Sequence, residues 1–363
     1  RWVAYINPTD GKDFASGVCV FGDYIVVVGA AELHKPYVAL LRKSDGGVVR
    51  EWTGSEWEVF YDCISIGGKL YVIGDTHVGS LYGVIYVFDE NLNVLAKVRS
   101  ERPSGYSSLA YDSKALYVGG WTYGYAYGEE WIWIVEKRAL DVSISSIKSK
   151  KIRFDSWTRG WINDIGVDPS TGRVWAVGWY QDLGYGYHSL IVILDSDLRE
   201  LKVIDYPQGS EGYLGAFNGI AFDGRYVYIS GSDGVVKFTV DGELVAINRD
   251  GKARDKIVYG YNYLYIFGGD RIEGYDRPVL YIHDTDLNLV KSYVLGENIN
   301  ALSDFYIGRP VLEGNNIYVA GYDYALGERN SRVVVYSLSI EGVTVTTETG
   351  TEATTATITV SDR

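Results

Sequence analysis

The stretch "LYVIGDTHVGSLYGVIYVFDENLNVL", from Leu70 to Leu95, contains a strand-like run that ends in glycine, a polar loop, a second strand-like run and a tight turn. The same arrangement returns near the other end of the chain, from Ile317 to Ser339, as "IYVAGYDYALGERNSRVVVYSLS". Self-similarity at a period of about 20 to 50 residues is typical of repeat architectures. The repeated unit therefore decides the fold.

The glycine that closes the first strand of this phrase recurs through the whole chain. Seven copies, at a mean spacing of about 49 residues, are Gly29, Gly74, Gly119, Gly178, Gly231, Gly268 and Gly321. Each copy follows an apolar, β-branched or aromatic run, has another strand and turn before it, and has a third strand and a more polar fourth strand after it. This pattern, without any helical stretch, predicts an all-β fold: a seven-bladed β-propeller of four-stranded antiparallel blades.

The N-terminal "RWVAYIN" matches a fourth strand, but no first three strands precede it. The simplest interpretation is that Trp2 to Ile6 form the outermost strand of the last blade and so close the ring. The alternative gives that place to "GVTVTTE", which begins at Gly342, with the N-terminal strand beside it. We expect residues 1–342 to form a single propeller domain and the Thr-rich residues 343–363 to be a stalk, a linker or a donated strand.

Composition excludes several classes of function. The chain has 363 residues, of which 47% are hydrophobic and 22% charged, with 10 Trp and 32 Tyr, which is a globular composition with many aromatic residues. The net charge of −13 argues against nucleic-acid binding, because phosphate neutralisation requires a concentrated basic face. No apolar run approaches the roughly 20 residues that cross a bilayer, so we expect no membrane span.

The chain begins with Arg1 and contains no Met, which is the pattern expected after removal of a signal peptide. We therefore expect an extracellular or cell-surface location.

Two cysteines fit this setting. Cys19 aligns with Ile64, whereas Cys63 comes one place earlier, so the two side chains point from neighbouring blades toward each other. A Cys19–Cys63 disulfide is therefore expected, with two buried free thiols as the alternative.

The repeated phrases quoted above resemble those of prokaryotic secreted propellers, and this resemblance implies that the loops between second and third strands share one face with the connections between blades. In blades three and four these segments are rich in Trp and Tyr, which combine rigid apolar area with a polar tip. The candidate ligand-binding residues are Trp121, Tyr123, Tyr125, Tyr127, Trp157, Trp161, Trp179, Tyr180, Tyr185 and Tyr187, together with the acidic Asp155, Asp164 and Asp182. The alternative is that many of these aromatic side chains only fill the spaces between blades.

A second candidate site follows from the innermost strands. Polar residues stand two places before a shared apolar position in several blades, which predicts a polar ring at the mouth of the central channel. Its members are Asp62, Asn163, Asn218 and Asp255, with Ser107 and Arg309 in two other blades. Such a ring could hold water or a cation, or could satisfy backbone amides at the strand ends.

Signals for metals are weak. His34 and His77 lie in loops of neighbouring blades, but no HxH or HxxxH spacing supports a metal site. The turns that begin at Asp89, Asp195 and Asp284 resemble the first half of a calcium loop, but they lack its Gly at position six and its Glu at position twelve. We interpret them as turns in which Asp and Asn bond nearby backbone amides, and we expect no cofactor.

The phrases "NNIYVAGYDYALGERNSRVVVYSLSIEG" and "GRVWAVGWYQDLGYGYHSLIVILDSDLREL" resemble the repeats of prokaryotic secreted propellers of the SBBP/delta-60 type. The resemblance covers most of the chain and implies the propeller fold and the position of its loop face. Kelch repeats also carry a glycine pair here, as in Gly119–Gly120, but this chain lacks their regular Trp, so kelch is the second choice.

These observations favour a non-catalytic binding or assembly module that recognises a protein or glycan at the cell surface. No nucleophile motif, phosphate-cradling loop or dinucleotide fingerprint is present in the sequence. One alternative is an enzyme that acts on polysaccharide at the same face through paired carboxylates. Another is a structural subunit that self-assembles when the Thr-rich tail donates a strand to the next copy.

Overall fold

The computed structural model describes residues 2–77, 81–102, 104–123, 131–153, 157–250, 255–272, 275–295, 308–323 and 331–340. These residues form 28 β-strands arranged as the seven four-stranded blades expected from the repeat. No helix occurs among them, and so none that is long and apolar enough to span a membrane. The all-β, seven-bladed propeller prediction is confirmed.

The strands of blades 1 to 6 pair antiparallel in chain order, and blade 7 differs only in its outermost strand. Blade 1 contains β2 (Phe14–Phe21), β3 (Tyr24–Ala31), β4 (Lys35–Arg42) and β5 (Val48–Thr53). Blade 2 contains β6 (Glu58–Ile66), β7 (Lys69–Thr76), β8 (Tyr82–Phe88) and β9 (Val94–Arg99). Blade 3 contains β10 (Ser104–Tyr111), β11 (Ala115–Tyr123), β12 (Trp131–Ala139) and β13 (Ser146–Ile152). Blade 4 contains β14 (Trp157–Val167), β15 (Val174–Asp182), β16 (Tyr187–Leu194) and β17 (Glu200–Pro207).

The last three blades follow the same plan. Blade 5 contains β18 (Phe217–Phe222), β19 (Tyr226–Gly231), β20 (Gly234–Thr239) and β21 (Leu244–Asn248). Blade 6 contains β22 (Lys256–Gly260), β23 (Tyr263–Ile272), β24 (Tyr275–Asp284) and β25 (Leu289–Val294). Blade 7 contains β26 (Val311–Glu313), β27 (Asn316–Asp323), β28 (Arg332–Ser339) and, as its outermost strand, β1 (Trp2–Ile6).

The N-terminal strand closes the ring. β1 pairs antiparallel with β28, from Trp2 opposite Ser337 to Ile6 opposite Val333. The indole nitrogen of Trp2 also donates a hydrogen bond to the carbonyl of Lys43 in blade 1, at 2.8 Å. The prediction that gave Trp2 to Ile6 this place is confirmed, and the competing segment beginning at Gly342 lies outside the described residues.

The hydrophobic core is divided among the gaps between blades. Seven clusters of buried side chains occur in the described part of the chain, one for each neighbouring pair, including blades 7 and 1. Because a four-stranded sheet exposes two faces, each blade buries both only by packing between two neighbours. The packing between neighbouring blades therefore both stabilises each sheet and holds the ring closed.

The recurring glycine has a steric cause. Gly29 pairs with Ala15 and Gly74 with Phe60, and the first strand bulges directly after each of these pairs. A Cβ on either glycine would collide with a carbonyl oxygen of the facing strand. In blade 3 the residue with this geometry is Gly120, which pairs with Tyr106, so Gly120 rather than Gly119 is the counterpart of the other copies.

The disulfide expected between blades 1 and 2 is present. Cys19 in β2 and Cys63 in β6 are bonded, with 5.9 Å between their Cα atoms, and both lie in the core cluster between these blades. Neither cysteine is free, which excludes the alternative of two thiols.

Candidate functional site

Antiparallel order places the second-to-third loops and the blade connections on the same face of the ring, which we call the upper face. Blades 3 and 4 carry a continuous aromatic ridge there. The rings of Trp121 and Trp131 stack with centroids 4.9 Å apart, and Trp161 meets Trp131 edge-on at 4.8 Å. Trp179 lies 4.6 Å from Trp161, and Tyr187 lies 5.6 Å from Trp179.

The ridge is fixed by contacts between the two blades. β12 and β14 share a parallel bridge at Trp131 and Arg159, which joins blades 3 and 4 into one sheet. The indole nitrogen of Trp133 in blade 3 donates to the carbonyl of Trp179 in blade 4 at 3.2 Å, and within blade 4 Arg159 Nε donates to Gln181 Oε1 at 2.9 Å. A surface held in this way loses little conformational entropy when it binds a partner.

The residues predicted for this face differ in exposure. Trp121 and Tyr180 are buried, at 7% and 3% exposure, and Trp161 and Trp179 are half-buried. Tyr185 and Tyr187 are exposed, at 79% and 39%. Three candidates, Tyr125, Tyr127 and Asp155, lie outside the described residues, as do the side chains of Tyr123 and Trp157.

Sequence reasoning missed two residues of the upper face. Trp131 completes the ridge but stands at the start of a strand, where it reads as a core residue. Trp57, in the connection between blades 1 and 2, is 58% exposed, and its ring lies 5.1 Å from that of His34. A Trp between two Glu residues in a blade connection was the available signal for it.

The hairpin between β15 and β16, Asp182–Tyr187, projects beside the ridge and is called the blade 4 hairpin. Asp182 Oδ1 accepts a hydrogen bond from the Gly186 amide at 2.7 Å, and Tyr185 adopts a left-handed backbone with φ of 65°. The Gly186 amide, opposed in part by burial and aided by His188, holds the pKa of Asp182 below its usual range. Leu183 at the tip is 64% exposed.

The central channel contains a network of opposite charges, the channel cluster, formed by Asp62, Ser108, Asp164, Lys256 and Arg309. Arg309, which precedes β26 of blade 7, crosses the channel and forms an ion pair with Asp164 of blade 4. Its Nη2 also donates to Ser108 Oγ at 2.8 Å, and its Nη1 lies 3.9 Å from Asp62 Oδ2. The channel is therefore crossed by side chains that are bonded to one another.

The carboxylates of this cluster also tie neighbouring blades together. Asp62 Oδ2 accepts from the Leu109 amide of blade 3 at 3.1 Å, and Asp164 Oδ2 accepts from the Ile220 amide of blade 5 at 3.0 Å. Asp164 is 1% exposed, so its assignment to the loop face was wrong. The bulge in β14 turns its side chain inward, because one added residue changes the face to which every following side chain points.

Burial and neighbouring opposite charges shift the pKa values of these groups in opposite directions. Burial alone would raise the pKa of Asp164, but the positive charges of Arg309 and Lys256, with hydrogen bonds from Arg309 and Ser108, hold it below its usual range. Asp62 has a raised pKa because burial and the charge of Asp164 outweigh the attraction of Arg309. Burial would lower the pKa of Arg309, and the two carboxylates raise it.

The remaining ring candidates stand one residue earlier along the chain than the positions of the channel cluster. Asn163 Nδ2 donates to Asn218 Oδ1 at 3.0 Å, and Lys256 Nζ donates to the carbonyls of Asn163 and Asn218 at 2.9 and 2.8 Å. Ser107 Oγ donates to the carbonyl of Ile162. The structure thus divides the predicted ring between two adjacent positions, with Asp62 and Arg309 in one and Asn163, Asn218 and Asp255 in the other.

Asp255 should make stability depend on pH. Burial, partly offset by the charge of Lys256, raises the pKa of this carboxyl to about 6, above its ordinary value. Because the folded value exceeds the unfolded one, the stability contributed by Asp255 is present below the unfolded pKa and is lost as pH rises through about 6. We expect Asp255→Asn to be more stable than the parent by about 1–2 kcal/mol above pH 7 and equal to it near pH 4.

Urea unfolding at a series of pH values measures this difference. The exposed Asp233→Asn is the matched control and should track the parent throughout. A difference between Asp255→Asn and the parent that stays constant with pH would contradict the prediction.

The weak metal candidates have other partners. His77 Nε2 lies 3.3 Å from Asp75 Oδ1, and His34 contacts Trp57. No group of three metal-ligating side chains occurs in the ranges that the structure describes. In the calcium-like turns, Asp89 and Asp284 accept hydrogen bonds from backbone amides two and four residues later, as expected for turns.

No protein-family model and no curated protein sequence matches the chain. Among solved structures, BamB from Moraxella catarrhalis is similar at 15% identity and a TM-score of 0.53, over 88% of this chain and 85% of that one. The WD40 domain of Pan2 from Neurospora crassa is similar at 9% identity and a TM-score of 0.60, over 92% and 93%. Both are β-propeller proteins, and at these identities the likeness shows the fold alone.

Proposed function

We propose that this chain is a non-catalytic binding module that recognises a protein or glycan of the cell surface through the upper face of blades 3 and 4. The single observation that carries the proposal is the aromatic ridge. Four Trp and one Tyr lie in unbroken contact across two blades, beside the exposed side chains of the blade 4 hairpin. Clustered Trp and Tyr that are partly exposed on a rigid surface are typical of binding hot spots.

The setting of the proposal is outside the cytoplasm. The Cys19–Cys63 disulfide is compatible with an oxidising compartment, and the resemblance of the repeats to secreted SBBP/delta-60-type propellers supports the same location. In this proposal residues 1–342 form the binding domain and the Thr-rich residues 343–363 form a stalk or linker.

The structure favours binding over hydrolysis. A glycosidase requires two carboxylates that can reach a substrate. The buried Asp62 and Asp164 instead accept hydrogen bonds from backbone amides and contact Arg309. Their geometry is that of a structural network that holds blades together.

The proposal predicts weaker binding when side chains of the ridge are truncated. We expect Trp161→Ala with Trp179→Ala to weaken binding by about 30-fold or more, because truncation of aromatic hot spots typically costs about 2 kcal/mol or more. The probes are soluble neutral, acidic and amino-sugar polysaccharides, and binding is read from Trp fluorescence and isothermal titration calorimetry.

A matched control variant lies on another part of the ring. Trp52→Ala, in the outer strand of blade 1, removes a Trp that packs against Phe60 and is remote from the ridge. It should leave affinity unchanged. Binding by the ridge variant with parental affinity would overturn the assignment of the site, and the absence of saturable binding across the panel would remove the glycan form of the proposal.

A further inference from the structure

His188 lies between two carboxylates at the base of the blade 4 hairpin. Its Nδ1 is 2.8 Å from Asp205 Oδ1 on β17, and its Nε2 is 3.3 Å from Asp182 Oδ2 at the end of β15. The ring stacks on Tyr180 with centroids 4.2 Å apart. Tyr180 in turn donates its hydroxyl hydrogen bond to Asp205 Oδ2 at 2.7 Å. We call these four side chains the histidine bracket.

The chemistry of the bracket determines which form of His188 fits it. Ionised carboxylates only accept hydrogen bonds, and a neutral imidazole carries a single N–H. Both contacts are therefore satisfied as hydrogen bonds only when both ring nitrogens are protonated. The imidazole lies between the two carboxylates, with one ring nitrogen directed at each, so the groups do not converge on a common point as metal ligands would.

The bracket is coupled to the shape of the hairpin through Asp182. One oxygen of this carboxylate faces His188, and the other accepts from the Gly186 amide at 2.7 Å. The Asp182 backbone also pairs with Gly186 and accepts from the Tyr185 amide at 3.1 Å. The orientation of Asp182 thus helps to position Leu183 and Tyr185, the most exposed apolar side chains of this hairpin.

We propose that doubly protonated His188 holds the blade 4 hairpin in its binding conformation, and that loss of one proton releases Asp182 and weakens binding as pH rises. The titratable groups in contact with the ring are Tyr180 and Asp182 from β15 and Asp205 from β17. The longer contact, to Asp182, is the one that opens. This inference rests on the proposed function for its effect on a ligand, whereas the bracket itself can be tested without one.

The structural test is nuclear magnetic resonance of the full chain with labelled histidine and glycine, between pH 5 and pH 9. We expect both ring nitrogens of His188 to be protonated at the acidic end. The Gly186 amide signal should shift in step with the His188 ring as pH rises. In His188→Gln, which keeps an amide donor but does not titrate, the Gly186 signal should stay constant over the same range.

Two results would contradict the proposed role of the histidine bracket. One is a Gly186 signal that does not follow the His188 ring in the parent protein. The other is a ring that carries a single proton at pH 5.

The functional test uses the polysaccharide that binds most tightly in the panel described above. We expect its affinity for the parent to fall several-fold as pH rises over the range of the structural test, and its affinity for His188→Gln to be independent of pH. His188→Phe keeps the stacking on Tyr180 without any donor, and should bind weakly at every pH. Equal pH dependence in the parent and His188→Gln would overturn the link to binding, whereas loss of binding in the ridge variant alone tests the proposed function separately.

Discussion

Arg309→Met is expected to lower the free energy of unfolding by about 3–5 kcal/mol, because it leaves the carboxylate of Asp164 buried without its charge partner. Asp164 is 1% exposed, and Arg309 also contacts Ser108 and Asp62 across the channel. Met fills a similar volume, so the loss reports the charge and the hydrogen bonds more than the packing. Guanidinium chloride unfolding of the parent and the variant measures it.

Two further variants separate the causes. Arg309→Lys keeps the charge but lacks the planar fork that reaches several acceptors, so it should recover only part of the loss. The double variant Asp164→Asn with Arg309→Met should lose less free energy of unfolding than the two single variants lose in sum, because no uncompensated charge remains.

The exposed Arg225→Met is the matched control and should cost less than about 0.5 kcal/mol. A loss of stability in Arg309→Met no larger than in this control would contradict the structural role of the cluster.

Removal of the disulfide has the second-largest expected effect. Cys19→Ser combined with Cys63→Ser should lower the free energy of unfolding by about 2–4 kcal/mol, since a cross-link between positions 44 residues apart restricts the unfolded chain. The bond joins the first strands of blades 1 and 2, whereas the ring is closed by the pairing of β1 with β28 in blade 7. Loss of the disulfide should therefore leave the fold intact but easier to unfold.

Unfolding with and without a thiol reductant provides the measurement and its control. The parent should shift to lower denaturant concentration when reduced, whereas the double variant should be insensitive to reductant. Two alkylatable thiols in the native, unreduced protein would contradict the disulfide.

Local patterns predicted most of the architecture. The seven units, the order of strands and the turns at Asp89 and Asp284 follow from side-chain alternation and turn chemistry, which act between residues close in the chain. The place of Trp2 to Ile6 followed as well, because a fourth strand without three predecessors has only one vacant position in a closed ring. The glycine was also visible as a repeat, although its counterpart in blade 3 was displaced by one residue to Gly120.

The candidate sites were predicted less completely. The sequence identified the aromatic loops of blades 3 and 4, but it did not separate the buried Trp121 from the exposed Tyr185 or include Trp131 in the ridge. Exposure of an aromatic ring depends on which neighbour covers it, and the neighbours in this ridge come from distant strands of blades 3 and 4. A position in a loop therefore does not establish that a side chain is available to a partner.

By itself the sequence determined that this chain repeats a four-stranded antiparallel unit around a ring, because strand alternation, turns and the glycine are local properties. Only the tertiary structure decided that Arg309 meets Asp164, 145 residues away, and that His188 lies between Asp182 and Asp205. The physical reason is that the contact of Arg309 with Asp164 depends on ring closure and on the bulge in β14, whereas the position of His188 depends on the register of β16 with β15 and β17. Closure, bulges and register together determine where a side chain points after the pattern of strands is already settled.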